Sequence, residues 1–120
     1  MGTRELVKKV QLYSGFSDQE SQAALEQMVD SLARRLTEGE RKDFASQLPP
    51  ELQMIAREAL PLADKHQDIV GEFMEAQRVP EPRAKKQILS SWHALKDAIT
   101  PGEIEDMRAQ LPNATVALLH

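Results

Sequence analysis

The sequence repeats itself. Sliding the 120-residue chain by 63 positions places Leu36-Thr37-Glu38-Gly39-Glu40 on Ile99-Thr100-Pro101-Gly102-Glu103. The same shift places Asp43 on Asp106 and Gln47-Leu48-Pro49 on Gln110-Leu111-Pro112. Seven of the fourteen positions from 36 to 49 are identical in the second copy. Chance would supply about one, since a common residue makes up only several per cent of a typical composition. Without a gap, the register also aligns Leu6 with Ile69, Val10 with Phe73, Leu25 with Ile88 and Leu32 with Leu95. Residues 5–57 and 68–120 therefore read as two copies of one unit, joined by 58–67, within a single domain over 1–120. A unit of about 53 residues buries too little apolar surface to be comfortably stable alone. Two copies are also fewer than a solenoid wants. The expected architecture is an all-α, compact helical bundle in which two pseudo-twofold-related units pool their apolar faces.

Periodicity supplies the helices. Leu25, Met28, Val29, Leu32 and Leu36 recur at steps of three and four, and Ala84, Ile88, Trp92, Leu95 and Ile99 repeat that stripe from 83 to 99. Glu26, Asp30, Arg34 and Arg35 fall mainly on the opposite, solvent side. Shorter amphipathic stretches cover 4–13, 51–60 and 65–76, and no stretch alternates with a period of two. Ser17-x-x-Glu20, Thr37-x-x-Glu40 and Thr100-x-x-Glu103 are capping boxes, in which hydroxyl and carboxylate each satisfy an orphan backbone N–H. Pro49 and Pro112 stop the short helices that follow. Each unit thus reads as helix, long helix, short capped helix and C-terminal helix. Gln47 and Gln110 are the repeated residues for which this scheme supplies no task.

A long helix ending in Arg34-Arg35-Leu36-Thr37-x-Gly39-Glu40, then Ala45-x-Gln47-Leu48-Pro49-Pro50-Glu51-Leu52, resembles the bacterial family named domain of unknown function 2267. The second copy carries its own version at Ile99–Glu103 and Ala109–Pro112, so the resemblance covers essentially the whole chain. It implies a small all-helical prokaryotic protein and no activity. The chain departs from the family at Thr115 and Val116, which implies a short or differently packed last helix.

Composition narrows the function classes. Aromatic residues are 4% of the chain, too few for a base-stacking platform. A net charge of −4 implies no general affinity for polyanions. The absence of cysteine removes disulfides, thiolate metal sites and cysteine nucleophiles. No leader-like run opens the chain, and no apolar stretch approaches the ~18 residues of a bilayer span. The expected setting is the cytoplasm, away from membranes.

Chemistry is sparse. His66, His93 and His120 have no zinc-ligand spacing. His93 and Asp97, one helical turn apart, are the arrangement that would orient an imidazole for base catalysis. Exposed pairs of that kind are common, however. Glu103, Glu105 and Asp106 crowd the first turn of a helix, where acidic groups are favoured by the macrodipole; a cation site is the lesser alternative, since no Asp/Asn loop of calcium type accompanies them. No metal or cofactor is expected. Arg83, Lys85 and Lys86 cluster at a helix start, as in helix-turn-helix readers, but the second half is more acidic than basic. Trp92 aligns with Val29. Its place on the stripe makes it first a core residue and second an anchor for a protein partner. The expectation is a non-enzymatic protein working through protein contacts, with Trp92, His93, Arg83, Lys85 and Lys86 as candidate contact residues. Self-association is compatible with this. A nucleic-acid-binding module using the basic trio and a cryptic enzyme are the alternatives.

Overall fold

Capping residues and prolines cut the described residues into eight helices. In the computed structural model, which describes residues 1–119, these are α1 (Thr3–Ser14), α2 (Asp18–Ala33), α3 (Glu38–Ser46), α4 (Pro50–Glu58), α5 (Ile69–Gln77), α6 (Glu81–Lys96), α7 (Pro101–Gln110) and α8 (Asn113–Leu118). No strand occurs among the described residues. Helices α2, α3 and α4 begin 63 residues before α6, α7 and α8, and α1 and α2 end 63 residues before α5 and α6. The correspondence extends to backbone conformation. Gly15 closes α1 at φ 77°, and Arg78, 63 residues on, closes α5 at φ 55° despite its side chain. Glycine takes this left-handed C-cap conformation without steric cost, and arginine does not.

Several boundaries move inward from the sequence expectation. α2 ends at Ala33, so Leu36 lies beyond it. α5 starts at Ile69 rather than 65, because the Asp68 carboxylate accepts from the Val70 and Gly71 N–H groups and fixes the first turn there. α6 ends at Lys96, short of Ile99, but its start moves outward from 83 to Glu81 on the Pro80 cap. α8 is short, as the departure at Thr115 implies. It spans six residues against nine in α4, and the buried Thr115 stands where Leu52 stands in the first unit.

The long helices α2 and α6 pack against each other at the centre, and the first-unit α1 lies against the second-unit α6. α5 touches both long helices, while α3 packs on α4 and on α7. Leu25, Met28, Ile88, Trp92 and Leu95 are wholly buried in this core. The molecule is compact, with a radius of gyration of 12.9 Å. No described helix is long and apolar enough to cross a membrane.

Arg35 overturns its sequence placement on the solvent side. Its residue is 2% exposed, because the chain has left the α2 helix and turns the side chain back beneath α5. There Arg35 donates to Glu72 at 2.7 Å, to the Ser31 carbonyl at 2.8 Å and to the Gln67 carbonyl at 2.9 Å. The other Glu72 oxygen takes Arg34 at 2.6 Å.

Candidate functional site

The capping boxes at the starts of α3 and α7 form by half. The Glu40 N–H donates to the Thr37 hydroxyl at 3.4 Å, and the Glu103 N–H to that of Thr100 at 3.3 Å. The returning half, in which each glutamate would accept from its own cap amide, is replaced. The Thr37 N–H donates to Gln110 Oε1 at 3.0 Å, and the Thr100 N–H donates to Gln47 Oε1 at 2.8 Å. Gln47 and Gln110, without a task in the sequence reading, thus each cap the short helix of the opposite unit.

This exchange frees two carboxylates. Glu40 and Glu103 occupy matching positions in the two units and are 8% and 7% exposed. Together with the exposed Asp43 they offer oxygens that all lie within 4.8 Å of one another. Oε1 of Glu40 and Oε1 of Glu103 are buried without a hydrogen-bond partner. Burial pushes the Glu103 carboxyl up to about 8, aided by the hydrogen bond its acid form makes to Glu40 and by the charges of Glu40, Asp43 and Asp106. By their place at the start of α7, Glu103, Glu105 and Asp106 read first as helix capping and only second as a cation site. The sequence does mark these positions, since Glu40/Glu103 and Asp43/Asp106 are among the identities of the repeat. What the register lacked was the Gln exchange that turns the two glutamates toward each other.

A carboxyl that holds its proton more tightly when folded stabilises the protein at low pH and loses that contribution as pH rises through the folded value. In chelator-containing buffer, the melting temperature is therefore expected to fall by about a few degrees between pH 5 and pH 9. Most of the fall should lie below about pH 8. Asp30, also raised by burial, acts in the same direction. Asp18 and Glu20, held low by hydrogen bonds from Arg4 and Arg83, lose their stabilising effect only in acid, below this window. Glu103→Gln should flatten the slope, and an unchanged slope in that variant would sink the assignment.

The residues singled out from sequence lie elsewhere. Trp92 is wholly buried, so it is a core residue and does not serve as an exposed partner anchor. Its position on the buried face of α6, flanked by Ile88 and Leu95, is the physical reason. Arg83 pairs with Glu20 through two N–H donors, and its guanidinium lies 4.1 Å above the Phe16 ring. Lys86 Nζ sits 5.5 Å from the same ring, and Lys85 reaches Glu81 at 3.3 Å. The basic trio is thereby largely engaged within the protein. His93 packs on the Tyr13 ring at 5.4 Å between centroids, while the Asp97 carboxylate takes Lys9 at 2.8 Å. His66 donates its backbone N–H to Asp64, and His120 lies outside the described residues.

A second feature was missed from sequence. Glu38, Arg41, Lys42 and Arg57 line a cleft of about 460 Å³. Arg41 is anchored by the carbonyls of Ala33, the last residue of α2, and of Leu36 beyond it, and Lys42 faces Glu38 at 3.6 Å. Arg57, from the last turn of α4, makes none of the ion pairs found among the described residues. Cations on two different helices converge only after folding, so no local motif announces them.

No curated protein matches the chain. A family model described as "Uncharacterized conserved protein (DUF2267)" matches residues 3–118, essentially its whole length, and the chain therefore belongs to that family.

Proposed function

We propose that this chain is a non-enzymatic bacterial cytoplasmic module that works through protein contacts and takes an acidic segment of a partner protein into the cleft of Arg41, Lys42 and Arg57. The observation that carries this reading is the cleft itself, which sets three cations against one carboxylate in a molecule of net charge −4. Complementary charge steers encounter and sets specificity. We further propose that the two units are related by a pseudo-twofold axis. The reciprocal Gln47–Thr100 and Gln110–Thr37 bonds support it. So do two cross-unit ion pairs, Lys9–Asp97 and Glu72–Arg34, which occupy matching positions with their charges reversed.

The test uses fluorescence anisotropy with labelled Asp/Glu-rich, neutral and Lys-rich peptides and a DNA duplex. The acidic peptide should bind best, lose affinity with added salt, and bind about tenfold more weakly to the Lys42→Glu, Arg57→Glu variant. Lys85→Ala, Lys86→Ala should leave it unchanged. Equal binding of neutral and acidic peptides would end this reading. Preference for the duplex that disappears in the Lys85→Ala, Lys86→Ala variant would replace it with nucleic-acid binding.

A further inference from the structure

The carboxylates between α3 and α7 carry a charge that none of the protein's own cations pairs in the described structure. Three acidic groups meet within 4.8 Å, two of them more than nine-tenths buried, and none of the ion pairs in the described structure includes Glu40, Asp43 or Glu103. Buried anions ordinarily occur paired or on a metal. The cap amides of Thr37 and Thr100, which would have occupied the two glutamates, are taken by Gln110 and Gln47. Oε1 of each glutamate is buried and unpartnered, and each carboxylate has an oxygen within 4.8 Å of the other members of the cluster.

We propose that Glu40, Asp43 and Glu103 form a binding site for one hard divalent cation of the Mg²⁺ or Mn²⁺ class, with water completing its coordination. An all-oxygen donor set selects hard cations over those that prefer thiolate or imidazole. Oxygens bound at about 2.1 Å to one octahedral ion are about 3.0–4.2 Å apart, a span that small carboxylate rotations reach from the observed spacing. Three protein ligands are too few for a dedicated calcium cage and suit an ion that retains several waters. Asp43, exposed at the edge of the pair, supplies the route by which a hydrated ion enters. The site joins the first turn of α3 to the first turn of α7, so occupancy would clamp the two short helices together.

The probe is Mn²⁺ alone, titrated into chelator-stripped full-length protein and followed by calorimetry and thermal melting. One Mn²⁺ per chain is expected, with a Kd on the order of 10⁻⁵–10⁻⁴ M. At a hundredfold excess over Kd, the melting temperature should rise by about 5–10 °C. Glu40→Gln and Glu103→Gln should each weaken binding tenfold or more and suppress the thermal shift. Glu105→Gln, an exposed acid in the same turn of α7, should do neither. In chelator, at a pH above that at which Glu103 ionises, both glutamine variants should melt at or above the wild type, since each then removes one of three crowded like charges. Loss of binding in a variant that stays folded therefore reports the ligand itself. Absence of Mn²⁺ binding up to millimolar concentration, or equal binding by the wild type and both glutamine variants, would overturn the proposal and leave the cluster as a carboxyl pair sharing a proton.

Discussion

Replacing Glu72 with alanine is expected to cost about 3–5 kcal/mol of folding stability, because it strands a buried guanidinium. The Arg35 side chain is fully buried and that of Glu72 is 7% exposed, so water cannot replace the lost carboxylate. Arg35 would keep its bonds to the Ser31 and Gln67 carbonyls, yet its Nε already lacks a partner. Asp30 would remain close enough for its charge to be felt by Arg35, but it makes no ion pair with it in the described structure. Domains of this size are stable by roughly 5–15 kcal/mol, so the change removes a large fraction of the total. In urea, with a slope of about 1–3 kcal/mol per molar, the midpoint should fall by about 2 M. Arg4→Ala serves as the contrast, since the Arg4–Asp18 pair is more than half exposed and screened by water, so its loss should leave the urea midpoint nearly unchanged. A double variant, Arg35→Met with Glu72→Leu, should recover most of the loss, because a well-packed apolar pair often matches a buried ion pair. A Glu72→Ala protein within about 1 kcal/mol of the wild type would show that water reaches Arg35 after all.

The physical range of each signal decides what could be read from the sequence. Helix existence and the 63-residue register were legible, because apolar spacing and hydroxyl caps are local. The Ser17, Thr37 and Thr100 caps all form where the pattern put them. The fate of Glu40 and Glu103 was not legible, because it turns on which acceptor reaches the cap amides. The winning glutamines come from 73 and 53 residues away. Arg35 misled for a related reason. Helical-wheel reasoning assigns faces only while the helix lasts, and α2 ends two residues before it. Arg83, Lys85 and Lys86 form a genuine cluster in sequence, but Glu20 and Phe16, the partners of Arg83 and Lys86, lie on the opposite unit. The register itself held a clue, since Glu20 and Arg83 are matching positions that face each other across the α2–α6 contact.

Trp92→Ala is expected to destabilise the fold by about 3–5 kcal/mol. Trp92 is among the largest wholly buried side chains and sits in α6, which packs against α1, α2 and α5. Truncation would therefore leave a cavity bordered by several helices, and no single segment can move to close it. The matching position in the first unit, Val29, is also wholly buried in a helix of equal length. The two units thus accommodate very different volumes at one register position, and the space around Trp92 is shaped for the indole. Its Nε1 has no hydrogen-bond partner, so the residue is held by packing at some cost in hydrogen bonding. Trp92→Phe isolates that balance, losing part of the volume while removing the orphan donor, and should cost less than half as much as alanine. As the chain's one tryptophan, the indole reports on its own surroundings. Native fluorescence should be blue-shifted, resistant to quenching by iodide, and shift to the red in a single transition that coincides with loss of helical circular dichroism. An alanine variant as stable as the wild type, or ready quenching of the native protein, would return Trp92 to the surface.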